Sequence, residues 1–162
     1  MATVSNKKKP VQRAPKKQEA TALLRADHKA VSELFAEYAN ATTSAKKKKL
    51  VSKICTELSV HAQVEEELFY PAVKQALKDH VLVPEATVEH ATLKELIAQV
   101  EGVEPDGEMF DAKVKVLSEY VKHHVKEEQN EIFPKAKVSQ LDMVELGSQI
   151  AERKKEILAQ RA

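Results

Sequence analysis

Six residues of this chain have types and spacings that could do chemistry together: His28, His61, Glu65, His90, His124 and Glu128. Glutamate follows histidine by four positions twice, at His61 and Glu65 and at His124 and Glu128. On a helix rising 1.5 Å per residue, such a pair lies on one face about 6 Å apart, so both side chains can reach a common point. One histidine in an apolar stripe is more often a hydrogen-bonded core residue than a ligand. Four histidines with two glutamates are different, because ionisable groups left unpaired in an apolar interior cost several kcal/mol each. The pattern therefore calls for a cation, or for water, at the point where they meet.

The second half of the chain echoes the first. His28 and His61 are 33 residues apart, His90 and His124 are 34 apart, and Asp27-His28 is mirrored by Glu89-His90. Histidine, glutamate, aromatic residue and proline fall at offsets 0, 4, 9 and 10 in both His61–Pro71 and His124–Pro134. This register selects His124 over His123, whose offset to Pro134 is one too long and which leaves the apolar stripe. His123 is then a solvated or supporting neighbour, and His80, outside every stripe, belongs on a loop or an exposed helix end.

Positioning these groups falls to helices whose apolar residues recur at steps of three and four. The stripes read Leu24, His28, Val31, Phe35, Tyr38; Leu50, Ile54, Leu58, His61, Glu65, Leu68; Ala86, His90, Leu93, Ile97, Val100; and Phe110, Val114, Leu117, Val121, His124, Glu128. Thr43 or Ser44 can cap the second helix, Pro84 suits the first turn of the third, and Gly102 is placed to stop it. Lys46 to Lys49 oppose the dipole of the second helix, which predicts a frayed first turn. Pro71 and Pro134 are expected to kink or end their helices. Short connections give an all-α, up-down-up-down antiparallel four-helix bundle over residues 20–136. A capping-box-like start near Ser139, with Asp142, opens an appended helix within 137–162 that carries Leu146, Ile150 and Ile157.

The composition agrees: of 162 residues 43% are apolar and 4% aromatic, with 3 glycines, which lacks the texture of a sheet protein. Residues 1–19 hold Lys7, Lys8, Lys9, Arg13, Lys16 and Lys17 against Glu19 in a chain whose net charge is +1. With Pro10 and Pro15 and no apolar period, this basic tail is expected to be disordered and solubilising. It has no interleaved aromatics for nucleic acid and no amphipathic face for a membrane. No apolar run reaches spanning length, no apolar segment follows the first lysines, and the single Cys55 cannot form an internal disulfide. A reducing cytoplasm is the expected location, with Cys55 an inert, partly buried thiol.

From Leu23 to Pro134 the pattern His, His-x-x-x-Glu, His, His-x-x-x-Glu resembles the hemerythrin-like family of HHE cation-binding domains. The resemblance implies a diiron centre with His28, His61, His90 and His124 as ligands and Glu65 and Glu128 as bridging carboxylates. Two non-haem irons sharing an oxo or hydroxo bridge would fill ten of twelve coordination positions, although zinc or manganese suits the same donors. The two open positions would take O2, NO or peroxide. Lys94 stands where the oxygen-carrying hemerythrins place a fifth histidine, which shifts the expected role from carriage to sensing, iron handling or redox chemistry. Three readings follow: a sensor or binder of O2, NO or redox state that signals through a protein partner; a diiron enzyme of peroxide or NO removal or iron-centre repair; and a metal-free bundle with a polar core. Tyr70 and Tyr120 are candidates for redox-active or supporting groups, or for core residues, and no organic substrate pocket is expected.

Overall fold

A computed structural model describes residues 17–162, in which the chain is all-helical. Helix α1 (Ala20–Asn40) is capped by the Glu19 carboxylate, which accepts from the Thr21 and Ala22 amides. Helix α2 (Ser44–Val64) is capped by Thr43. It runs through a π-helical turn, π1 (Glu65–Phe69), into α3 (Tyr70–Leu77). Helix α4 spans Leu82–Ala98, and Asp79 accepts from the amides of its first turn. Helix α5 (Glu108–Glu127) continues through π2 (Glu128–Ile132) into α6 (Phe133–Lys137). Helix α7 covers Met143–Arg161. The end of α1 meets the start of α5, where Tyr38 donates to Asp111 at 2.6 Å, as an up-down-up-down order requires.

The stripes bury as their period demands, with Leu24, Val31, Ile54, Leu93, Leu117 and Val121 all in the core. Two apolar clusters result. One gathers Leu24, Val64, Phe69, Phe133 and Ile150, the other Val31, Leu58, Leu93, Leu117 and Val121. The six polar seam residues lie in the layer between them.

Four local expectations need correction. The first turn of α2 is intact, because Lys47 ion-pairs with Asp111 at 3.0 Å and Lys48 pairs with Glu104, offsetting the unfavourable dipole. Neither helix ends at its proline, one of the two outcomes expected there. In each case the π turn spans the glutamate and the aromatic, with the Tyr70 amide bonded to the Glu65 carbonyl and the Phe133 amide to that of Glu128. The extra residue in that turn accommodates the following pyrrolidine ring, which would clash with a regular α-helical turn. Helix α7 is capped by Asp142 itself, which accepts from the Glu145 amide, while Ser139 closes α6 by donating to the Ala136 carbonyl. Cys55 is 1% exposed, more deeply buried than expected, and burial with the nearby Glu101 charge pushes its thiol up to about 12.

Helix α7 lies along α1, α2 and π1 through Leu146, Ile150 and Ile157. Gly147 allows this approach, since a Cβ there would stand 2.3 Å from the Gln18 carbonyl oxygen. Glu19, grouped with the tail by sequence, thus belongs to the folded unit, whereas the disorder expected of residues 1–16 falls outside the described residues.

Candidate metal centre

All six predicted residues meet in the layer between the two clusters, and each is at least nine-tenths buried at its side chain. The four imidazoles turn Nε2 inward. His28 and His61 face each other at 3.2 Å between Nε2 atoms, and His90 and His124 do the same at 3.2 Å. The glutamates join these pairs. Glu65 Oε1 lies 2.8 Å from His61 Nε2 and 3.5 Å from His90 Nε2, while Glu128 reaches His28 with Oε1 at 3.2 Å and His124 with Oε2 at 3.5 Å. Two groups of donors form, each within 4.8 Å internally: Glu65, His90, His124 and Glu128, and His28, His61 and Glu128.

The outward nitrogens explain why the inner ones are available. His28 Nδ1 donates to Gln129 Oε1 at 2.8 Å, His61 Nδ1 to Asp27 Oδ2 at 2.9 Å, and His124 Nδ1 to Glu89 Oε1 at 3.2 Å. His90 Nδ1 faces Glu66 Oε1 more loosely at 3.7 Å. An acceptor at Nδ1 places the proton there and leaves a lone pair on Nε2, the tautomer a metal ligand requires. The supports obey the pseudo-repeat: the residue before each first histidine holds the second histidine of its own half, and the residue after each glutamate faces the first histidine of the other half.

The inner surface is therefore rich in lone pairs and poor in donors. Glu65 Oε1 and Oε2 and Glu128 Oε1 are buried without a hydrogen-bond donor, since the 2.8 Å contact from His61 comes from the ring nitrogen whose proton is not placed there. Positive charge must neutralise this surface. Without a cation, protons serve: burial disfavours a charged His61 ring, but Glu65, Asp27 and Glu128 outweigh it and hold its pKa well above the ordinary value. His124 rises to about 9, with Glu128, Glu65 and Glu89 prevailing over burial. Burial likewise opposes ionisation of Glu65, and the charges of its imidazole neighbours still hold it well below the usual carboxylate range. Cations would replace those protons, as metal binding generally does. Deprotonated imidazole and carboxylate, with no sulfur donor among them, fit iron, manganese or zinc.

The surroundings add residues that sequence reasoning missed. Lys154, on α7, donates to Asp27, so the appended helix braces the support of His61. Lys94 binds Glu66 at 2.6 Å, bracing the residue that faces His90. Gln129 and Glu66 had no periodic signal, although their place one residue after each seam glutamate was readable. Tyr70 is buried against Glu128, His90 and His124, whereas Tyr120 packs half-buried against the second apolar cluster. His123 is exposed beside Glu127 and Glu89, and His80 is on an exposed loop, both as expected. The structure also contains a pocket that the sequence did not disclose. A cavity of about 350 Å³ reaches the four histidines between walls of Val31, Leu58, Leu93, Ile97 and Val121.

A helical bundle that buries four imidazoles and two spanning carboxylates around one point is the architecture of a cation-binding protein. The model of the hemerythrin HHE cation-binding domain family matches residues 19–136, and the chain belongs to that family. The fold is shared with the crystal structure of a hemerythrin HHE cation-binding domain-containing protein from Mycobacterium kansasii, at a TM-score of 0.74 and 22% identity over 86% of each chain. A DNA nickase of Nostoc sp. strain PCC 7120 is 29% identical over 111 residues, which are 68% of this chain and 31% of the nickase. The chain thus spans about a third of that relative's length. Family and His/Glu cluster together define a hemerythrin-like, metal-binding protein. Among the described residues no helix is long and apolar enough to cross a membrane.

Proposed function

We propose that the chain binds two non-haem iron ions and uses them to bind or sense O2, NO or the redox and iron state of its surroundings. In this reading His28 and His61 hold one ion, His90 and His124 hold the other, and Glu65 and Glu128 bridge them. The observation that carries it is the position of the two carboxylates, each spanning imidazoles from both pairs, with three of their oxygens lacking a donor. Bound iron would supply one-electron chemistry and affinity for small oxidants. The protein's part is to hold Nε2 lone pairs inward through Asp27, Glu89 and Gln129, and to keep bulk water off the centre with the two apolar clusters.

Lys94 takes no part in ligation in this scheme, because its ammonium is engaged by Glu66. The diferrous protein is then expected to oxidise when mixed with O2 in stopped flow and to stay oxidised after evacuation. Recovery of the diferrous spectrum under vacuum would instead assign reversible carriage. A second reading, an enzyme of peroxide or NO removal or iron-centre repair, gains support from the cavity, which is far larger than a diatomic gas requires. Multiple-turnover consumption of peroxide or NO by the iron-loaded protein separates it from a binder that reacts once.

A further inference from the structure

The pseudo-two-fold pattern of the centre is broken at one pair of positions. Tyr70 follows His61 by nine residues and Phe133 follows His124 by nine, so the two rings occupy equivalent places over the two halves. Phe133 stacks on the His28 ring at 5.8 Å with the planes 1° apart, an apolar cover for the His28 and His61 pair. Tyr70 puts a hydroxyl at the corresponding place over the other pair. Its oxygen lies 3.2 Å from His90 Nε2 and 3.2 Å from His124 Nε2, which are themselves 3.2 Å apart, and it donates to Glu128 Oε2.

That equilateral set has the dimensions of a coordination face. Donors about 2.0–2.1 Å from one metal ion are separated by about 3.0 Å at octahedral and about 3.4 Å at tetrahedral angles. Glu65 Oε1 and Glu128 Oε2, each 3.5 Å from one of these imidazoles, extend the same shell. A hydroxyl whose role was only to fill core space would need one acceptor, which Glu128 already provides. In the ligating tautomer both of those nitrogens present lone pairs, and the single hydroxyl proton, already given to Glu128, satisfies neither.

We propose that Tyr70 is a seventh protein ligand, binding through its phenol oxygen to the cation held by His90 and His124. This rests on the two-iron reading above. When the ion enters, the oxygen–metal bond replaces the O–H bond, the proton leaves to solvent, and no change of oxidation state is involved. The two cations become unlike: five protein donors surround the His90 and His124 ion, four surround the His28 and His61 ion. An incoming small ligand is directed to the latter. An anionic oxygen donor also favours the ferric state, so the centre resists reduction.

Ferric ion bound to a phenolate absorbs in the visible, which histidine and carboxylate ligands do not produce with comparable intensity. The diferric full-length protein is expected to show this band, with tyrosinate modes in resonance Raman excited within it. Tyr70→Phe should lose both at unchanged iron content and become easier to reduce, while Tyr38→Phe and Tyr120→Phe keep them. Phe133→Tyr places a second hydroxyl over the other ion and should strengthen the band, a gain that does not depend on Tyr70→Phe taking up metal. Iron is measured on every sample. A fully loaded wild-type protein without the band, or a band that survives Tyr70→Phe, overturns the ligand proposal alone. A wild-type protein that takes up no iron overturns it together with the two-iron reading.

Discussion

Replacing both seam glutamates by leucine, Glu65→Leu with Glu128→Leu, separates a metal centre from a polar core that serves stability alone. Three carboxylate oxygens in this layer are buried without a donor, and an unsatisfied buried acceptor costs about 1–3 kcal/mol. Leucine has similar volume, and the neighbouring seam positions are already aliphatic. Exchange of buried ionic groups for well-packed apolar ones commonly stabilises a protein by about 1–4 kcal/mol. His61 and His124 lose the two glutamates that raise their pKa values and keep Asp27 and Glu89 as acceptors for Nδ1. At roughly 2–4 °C per kcal/mol for a chain of this size, the metal-free double variant should melt about 2–16 °C above the metal-free wild type. Calorimetry at neutral pH in chelator measures this, and a second scan with excess Zn(II) should raise only the wild type, by the mass action of a ligand that binds the native state. A double variant melting several degrees below the metal-free wild type would refute the reasoning. It would mean that ion pairs with protonated histidines more than offset the desolvation of the glutamates in the metal-free bundle.

His61→Ala or His124→Ala should remove most iron binding measured by metal analysis, while His80→Ala and His123→Ala leave it nearly intact. The opposite result for the His123 and His124 pair would overturn the register assigned from Pro134. Gly147→Ala forces a Cβ into the backbone between Gln18 and Ala20, and overpacking of this kind costs about 1–3 kcal/mol. A lowered melting temperature, with faster amide exchange in α7 and the first turn of α1, is the expected outcome. Asp111 is held below its ordinary pKa by hydrogen bonds from Tyr38 and Lys47. Its contribution to stability is present above the unfolded aspartate value of about 3.9 and is lost as pH falls through the lower folded value. Thermal melts of Asp111→Asn should therefore lie below wild type at pH 7 and converge with it as the pH falls through the lowered folded value.

The six central residues were legible because a buried helical stripe has a rigid period, and a histidine or glutamate in such a stripe has nowhere to point but inward. Their division into two matching halves was legible from the repeat. Other features depended on relations that no single stripe records. Glu66 and Gln129 serve histidines of the opposite half, so a pattern scored within one helix passes over them. Lys154 reaches Asp27 across 127 positions of sequence from a helix that the bundle pattern treats as an appendage. Prolines at offset 10 read as kinks or ends, since an interior proline is incompatible with a regular α-helical turn. A π turn absorbs the extra residue at little expense and keeps each helix running. The cavity had no signature at all, because its walls are the same valines, leucines and isoleucines that elsewhere fill the core. Tyr70 was visible as a candidate, but its distinction from Phe133 required knowing that both rings cover one centre.

The central claim is that the two imidazole pairs and two shared carboxylates hold two metal ions. Metal analysis of the full-length protein after anaerobic loading with excess Fe(II) and removal of unbound iron tests it most directly. Two irons per chain is the predicted result; a stoichiometry of one or zero after full loading would contradict it.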